Sequence, residues 1–348
     1  MKPRHLYRNR ALSLAVAVLG LCGSLQAHAD AFLPRTICVY DPVGEDGPVV
    51  SMMEGYFAAA MNWGVRLTPK TYTNEDAAAA DFKAGKCDAI GMTGVHNMQF
   101  VKYAGSLDMV GGVLTYADEH KAILAMVSPA NANNMVSGNY ETVAVVPGGK
   151  VFLFAHHKEN LASMIHAAGK KLAVFGSDQQ ALTMAKDTGA VPVPVNITNV
   201  GPMFNSGAVE YAYAPSFAYD KLGLAKGLGT TGGIADYALG MLSLQIDIYR
   251  NRFPAGFGQQ SRTWVSKSAW DPAMGQIIEA DNGIPKKYWV HIPDDRARSY
   301  ANMLVQVRKD LWDSGWYDHT MQRMLKKIRC QSNPSAGECA LDTEGGTI

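Results

Sequence analysis

Short apolar runs alternate with longer amphipathic stretches along most of this chain. Thr36-Ile37-Cys38-Val39-Tyr40 predicts a strand, Gly44 to Gly47 a turn, and Met53, Phe57 and Met61, spaced four apart, mark one face of a helix over Val50 to Trp63. A second strand follows at Val65 to Tyr72. Asn74 is positioned to cap a helix whose alanines run through Phe82 to a stop at Gly85, and Cys87 to Met92 is a third strand. Strands joined by helices must cross over, so this β-α-β-α-β order predicts parallel neighbours.

Beyond Val110 to Val127 and the polar stretch Asn131 to Tyr140, the order recurs. Lys171 to Phe175 is a strand, Ser177 is placed to cap a helix ending at Lys186, and Val191 to Asn196 is a strand. Val200 to Phe204 opens a short helix that Gly207 breaks, and Val209 to Tyr213 is a strand. The fold class is therefore α/β with two lobes, each a mostly parallel sheet flanked by helices. The expected division is residues 30–127 for the first lobe, 128–238 for the second, 239–270 for a crossover returning through the hinge, and 271–348 for C-terminal helices and tail. The hinge is expected in Val110 to Val127 and Leu239 to Arg250, apolar segments able to cross between sheets.

Composition agrees with this division. A chain of 348 residues, 47% hydrophobic and 18% charged, is globular and long enough for about two cores. Its formal charge of +1 lacks the basic excess of a nucleic-acid binder. Lys2, Arg4, Arg8 and Arg10, the apolar run Ala11 to Leu21, and Ala27-His28-Ala29 have the order of a secretory signal cleaved after Ala29. Cleavage removes four basic residues and leaves a formal charge of −3. No later uninterrupted apolar run reaches the ~20 residues of a membrane-spanning helix, so a soluble periplasmic protein is expected. The competing reading is lipid modification at Cys22, against which Leu21 is too bulky for the usual lipobox. Without Cys22, four cysteines remain in an oxidising compartment. Cys38 and Cys87 stand on strands expected to be neighbours, and Asn333, Pro334 and Gly337 turn the chain between Cys330 and Cys339. The predicted pairs are Cys38–Cys87 and Cys330–Cys339, with free buried thiols as the alternative.

Several of these segments resemble a family. Lys170-Lys171-Leu172-Ala173-Val174-Phe175-Gly176-Ser177, Thr188-Gly189-Ala190-Val191-Pro192-Val193 and Asn205-Ser206-Gly207-Ala208-Val209-Glu210 are similar to the second lobe of extracytoplasmic solute-binding proteins of tripartite ATP-independent periplasmic (TRAP) transporters. Phe82-Lys83-Ala84-Gly85-Lys86-Cys87-Asp88-Ala89 resembles their first-lobe helix, glycine stop and strand. Thr263-Trp264-Val265-Ser266-Lys267-Ser268-Ala269-Trp270-Asp271 resembles the segment before their C-terminal helices. The resemblance implies a type II periplasmic-binding-protein fold, a small-molecule ligand and inner-membrane transporter subunits as partners. It also implies a ligand-binding arginine in the second-lobe strand, where this sequence has Ala173.

Ligands of open parallel sheets settle beyond the carboxyl ends of the strands. That rule selects the loops Asp41 to Gly47, Thr93 to Asn97, Gly176 to Gln179 and Ala214 to Tyr219. The candidate ligand-binding residues are Asp41, Gly44, Thr93, Gly94, His96, Asn97, Ser177, Gln179, Ser216, Phe217 and Tyr219, with Arg262 as a bidentate cation in place of the missing arginine. Thr93 to Asn97 and Ser177-Asp178-Gln179 read equally as helix caps, and Asp178 disfavours an anion beside it. Tyr211, Tyr213 and Tyr219 around Pro215-Ser216-Phe217 offer an aromatic wall for a ring or an apolar stem, with Tyr211 and Tyr213 facing a lobe core as the alternative. No nucleophile elbow, zinc-protease pair, Walker loop or dinucleotide fingerprint is present, and His156, His157 and His166 lack partners at ligand spacing. The expectation is a monomeric periplasmic receptor without cofactor, metal or catalytic residues, capturing a small polar, anionic or zwitterionic metabolite between lobes. The alternatives are a periplasmic enzyme on the same fold, or a binding protein of an ATP-driven transporter or sensor.

Overall fold

Alternating strands and helices build one continuous sheet in the computed structural model, which describes residues 32–176 and 178–347 together with Met1. The proposed leader, its cleavage point after Ala29, Cys22 and Ser177 lie outside the described residues. Phe32–Ile348 forms one compact unit. Its first half runs β1 (Leu33–Tyr40), α1 (Pro48–Met61), β2 (Val65–Tyr72), α2 (Glu75–Lys83) and β3 (Ala89–Thr93), and β1 pairs in parallel with both β2 and β3. Asn74 caps α2 by accepting the Ala77 N–H at 2.9 Å, and Gly85 takes the left-handed φ of +75° that ends it.

The middle of the chain departs from expectation. Val110 to Val127 does not cross between sheets: after α3 (Gly94–Asn97) and α4 (Lys102–Gly105) it becomes a loop and the helix α5 (Tyr116–Val127). Thr115 starts α5 by accepting the Asp118 N–H at 3.1 Å. The crossing is made by a strand absent from the sequence reading. β4 (Val136–Ser137) leads into β5 (Tyr140–Ala155), sixteen residues long, whose apolar pattern is interrupted by Pro147, Gly148 and Gly149.

The second half contains β6 (Lys171–Phe175), α6 (Gln179–Thr188), β7 (Val191–Val195), α7 (Val200–Asn205), β8 (Tyr211–Pro215), α8 (Ala218–Lys221), α9 (Ala225–Leu228) and β9 (Gly233–Ala235). The return strand β10 (Gly240–Tyr249) falls where Leu239 to Arg250 was expected to cross. α10 (Phe257–Ser268), α11 (Trp270–Gly283), β11 (Trp289–Val290), α12 (Asp294–Asp313) and α13 (His319–Ser332) complete the chain. The N-cap of α6 is Asp178 rather than Ser177: its Oδ1 accepts the N–H groups of Gln180 and Ala181 at 3.0 and 3.2 Å.

The main sheet order is β2-β1-β3-β10-β5-β8-β6-β7, so the halves join through the antiparallel pair β10–β5. Leu244 is paired with both Thr93 and Val146, whereas Val151 is paired with both Gly240 and Pro215. Only Pro147 to Lys150 of β5 and Met241 to Ser243 of β10 therefore lie between the end of β3 and the end of β8. The register slips there between Leu242 and Ser243. Gly149 has φ +102°, which disfavours any side chain, and a Cβ on Gly148 would meet the Leu242 carbonyl oxygen at 3.0 Å.

Each half has its own apolar core, around Ile37, Val39, Met53 and Phe257 in one and Phe152, Phe154, Ala173 and Phe204 in the other. A third cluster runs from Phe82 and Met92 to Val174 and Met184, and packs Tyr300, Leu304 and Leu325 of α12 and α13 across both. Both predicted disulfides form, Cys38–Cys87 and Cys330–Cys339, with Cα separations of 5.7 and 5.6 Å. The second holds the tail beside a buried ion cluster. Arg308 donates from Nε to Glu344 at 2.9 Å and also pairs with Glu338, while Arg329 reaches both carboxylates at 3.0 Å. Burial pushes the Glu344 carboxyl up, but the two guanidiniums overcome it and hold it below the ordinary carboxylate range. Its contribution to stability is present above that range and disappears as pH falls through it. Glu344→Gln is expected to cost about 3 kcal/mol near neutral pH, because it leaves buried guanidinium charge undercompensated. Urea unfolding of both proteins checks this, with the deficit shrinking on acidification.

Candidate functional site

The carboxyl ends of the strands in both halves face the gap spanned by Pro147 to Lys150 and Met241 to Ser243. From the first half come the first turn of α2 and the loop after β3. Glu75 Oε1 accepts the Thr93 N–H at 2.6 Å, and its Oε2 lies 2.9 Å from His96 Nδ1. The other ring nitrogen, His96 Nε2, is 3.2 Å from Asp76 Oδ1. An imidazole with both nitrogens on carboxylates is held as the cation. Burial opposes that charge, yet Glu75 and Asp76 outweigh it and raise the His96 pKa to about 9.

The second half answers with the loop after β6. Asp76 Oδ2 lies 3.9 Å from where a side-chain carbon on Gly176 would stand, so a gap of about one side-chain carbon separates the two rims there. Asp178 Oδ2 accepts the Tyr213 hydroxyl at 2.8 Å, and that hydroxyl accepts the Phe175 N–H at 3.3 Å. Burial raises the Asp178 pKa; its bonds to Tyr213, Ala181 and Gln180 and the His96 charge oppose the rise.

Beneath the rims lies a floor of acids. Asp108 is buried against Gly94, whose missing side chain allows the approach, since a Cβ there would sit 2.5 Å from the carboxylate. Asp108 accepts the Ser243 N–H at 3.0 Å and its hydroxyl at 2.5 Å, while burial raises its pKa to about 7. Glu119, on the first turns of α5, is fully buried, and neither carboxyl oxygen has a hydrogen-bond partner among the described residues. Burial and the Asp108 charge push its pKa far up. Next along the floor, Tyr116 donates to Asp281 Oδ2 at 3.2 Å, Ser216 donates to the other oxygen of Asp281, and Lys150 Nζ stands 5.0 Å above the Tyr116 ring.

The predicted residues divide sharply. Thr93, Gly94 and His96 stand together at the end of β3, Ser216 follows the end of β8, buried with its hydroxyl on Asp281, and Gly44 lies on the turn after β1 with φ +106°. Asp41 is turned inward and is fully buried, accepting Val43, Val49 and Val50 N–H groups at the start of α1. Asn97 faces the interior, where its Nδ2 donates to Thr142, Gln245 and Asp247. Among the described residues the Gln179 side chain bonds Thr183 on its own helix. Phe217 packs against the second-half core and Tyr219 is buried in it. Arg262 does not replace the missing arginine: it is buried on α10, with Nη1 on Glu141 Oε1 at 2.7 Å and on the Thr142 carbonyl at 2.9 Å. Ala173 is itself buried core. Sequence reasoning missed Glu75, Asp76, Asp108, Tyr116, Glu119 and Asp281. Glu75, Asp76 and Glu119 sit in first turns, where acids are expected simply for the helix dipole, so their chemistry had no separate signal.

Sheet order, a two-strand crossing and converging loops define the architecture of periplasmic solute-binding proteins. The ectoine-binding protein of the TeaABC TRAP transporter from Halomonas elongata superimposes with TM-score 0.67 at 13% identity, covering 85% of this chain and 98% of that one. A TRAP solute-binding protein from Shewanella oneidensis with bound succinate gives TM-score 0.66 at 12% identity, over 85% and 99%. The fold is shared with these proteins. The model of the solute-binding protein AdeT 1/2 family matches residues 58–344, and the probable solute-binding protein AdeT1 of Acinetobacter baumannii is 38% identical over 306 residues, 88% of this chain and all of that one. This chain belongs to the AdeT 1/2 family of solute-binding proteins.

Because His96 is protonated more tightly in the folded protein, its ion pairs stabilise the fold fully below about pH 6.5, and that contribution is lost as pH rises through about 9. An NMR titration of the His96 ring is expected to show a midpoint near 9. Glu75→Gln is expected to lower that midpoint.

Proposed function

We propose that this chain is exported, cleaved after Ala29, and works in the periplasm as a monomeric receptor that closes two lobes on one small solute and presents it to inner-membrane transporter subunits. The lobes are 30–127 and 128–238, with the return through 239–270 and the C-terminal helices of 271–348 bracing both. The carrying observation is the gap itself. Loops from both halves meet across a crossing of only two strands, so a ligand touching Thr93, Gly94 and His96 on one side and Ser216 on the other stabilises the closed arrangement. The register slip and the φ of Gly149 give the crossing strands a place to bend.

Membership in a solute-binding family and the shared fold support capture and delivery. The neighbours named for ectoine and for bound succinate indicate the scale of solute such a cleft admits. The reading includes no chemistry on the ligand. His96 has both nitrogens on carboxylates and no free lone pair with which to take a substrate proton.

The test is a thermal-shift screen of residues 30–348 against organic acids, amino acids, compatible solutes and amines, with a pair of fluorophores across the crossing and mass analysis of each compound afterwards. A receptor gains about 2.7 kcal/mol when ligand stands at about 100 times its Kd. The expected outcome is one class that raises Tm, shortens the interlobe distance and is recovered unchanged. A compound that is consumed makes the protein an enzyme, and tight binding without closure overturns the two-lobe mechanism.

A further inference from the structure

The gap carries carboxyl groups in excess. Asp76 and Asp178 stand on its two sides, Glu75 holds Thr93 and His96, Asp108 holds Ser243, Asp281 holds Ser216, and Glu119 lies within electrostatic reach of Asp108, against His96 and Lys150 as the cations beside them among the described residues. His96 is already shared by Glu75 and Asp76. Lys150 stands over Tyr116, the residue that bonds Asp281. The large buried guanidiniums of Arg262, Arg308 and Arg329 are paired with Glu141, Glu338 and Glu344 and touch none of these acids. A ligand bearing only carboxylates would add like charge to this wall.

An acidic cluster alone does not make a site; Glu119 supplies the independent observation. It has no exposed surface, and neither of its oxygens is bonded within the described residues. Side chains on a helix lean toward its N-terminus. For α5 that is the end carrying Tyr116, whose hydroxyl reaches Asp281 and so the Ser216 loop. Electrostatics agree, because Glu119 is felt by Tyr116 on one side and feels Asp108 on the other. A buried carboxyl without a donor is costly, and the natural partner is an N–H donor brought in from outside.

We propose that the solute carries a cationic nitrogen, received at the floor by Glu119 and Asp108 and enclosed from the rims by Asp76 and Asp178. This deepens the cleft reading of the preceding section and rests on it. A protonated amine supplies donors for the bare oxygens of Glu119, and its charge offsets the carboxylates drawn together on closure. Zwitterions fit if their acidic end lies toward Lys150 and their ammonium toward Glu119. Bare dicarboxylates do not.

Three four-carbon probes of nearly equal length separate these possibilities: succinate, 4-aminobutyrate and 1,4-diaminobutane. Each is titrated at millimolar concentration into residues 30–348 and read by calorimetry and thermal shift. The expected order places both amines at least about tenfold tighter than succinate, with 1,4-diaminobutane the more weakened by added salt. Succinate binding as well as either amine, or no binding by either amine, overturns the proposal. The near-isosteric variants Glu119→Gln and Asp76→Asn, checked for folding by circular dichroism, locate the binding. Loss of amine affinity in both, with Tm of the free protein kept, supports the proposal. Amine affinity unchanged in both means that the cleft is not the site, which overturns the cleft reading as well. Affinity for succinate that is lost in the same variants leaves the cleft as the site and removes only the cationic class.

Discussion

The fold depends on one antiparallel pair. All main-sheet pairing between the two halves passes through β10 and β5, and at the gap only Pro147 to Lys150 and Met241 to Ser243 remain of it. Such a crossing is stiff along the strands, because ladder hydrogen bonds resume on either side, and soft across them, because Pro147 lacks an N–H and the register slips at Leu242–Ser243. Changes in the angle between halves are thereby concentrated in a few residues. Ser243 is one of them, and it also holds Asp108, so the bend and the acidic floor share an atom-level contact.

The third core limits this freedom. α12 packs against α6 in the second half, while α13 packs against α4 and α5 in the first. Tyr317, between these helices, donates to Gln180 Oε1 at 2.6 Å, and the same oxygen accepts the Val110 N–H at 2.9 Å. The C-terminal pair thus bridges the two halves, with Tyr317 set against the first turn of α6. The ion cluster of Arg308, Arg329, Glu338 and Glu344, with the Cys330–Cys339 disulfide, ties the tail to that brace.

Regular elements were legible where local pattern and tertiary role agree. β2 and β6 have the predicted bounds: β6 is an apolar run ended by Gly176, as a buried parallel strand needs, and β2 alternates buried Val65 and Leu67 with exposed Arg66 and Thr68, as an edge strand does. The two disulfides followed from strand adjacency and from a turn-rich loop. β5 was illegible for a physical reason: Pro147, Gly148 and Gly149 break the strand pattern where the crossing strand bends, and its partner β10 is about 100 residues away. The site suffered from the same ambiguity. Asp41 and Glu75 are both acids beside a helix start, yet Asp41 turns back to satisfy α1 and Glu75 turns outward to hold Thr93 and His96. Arg262 was chosen for its chemistry, which Glu141 uses first.

A cleft that gathers carboxyls must keep them from repelling one another before a ligand arrives, and each acid here does so differently. Asp178 has Tyr213 and two helix N–H groups, Asp108 has Ser243, and Glu75 and Asp76 divide one imidazolium between them. Glu119 has none of these among the described residues, and burial with Asp108 alongside pushes it toward the neutral acid. The arrangement is less stable than an apolar floor of the same volume would be. Its cost falls on the free protein, whereas any group that supplies positive charge and donors recovers it in the complex. Affinity then grows from a defect already present in the empty fold, and the same defect selects the charge of what fills it.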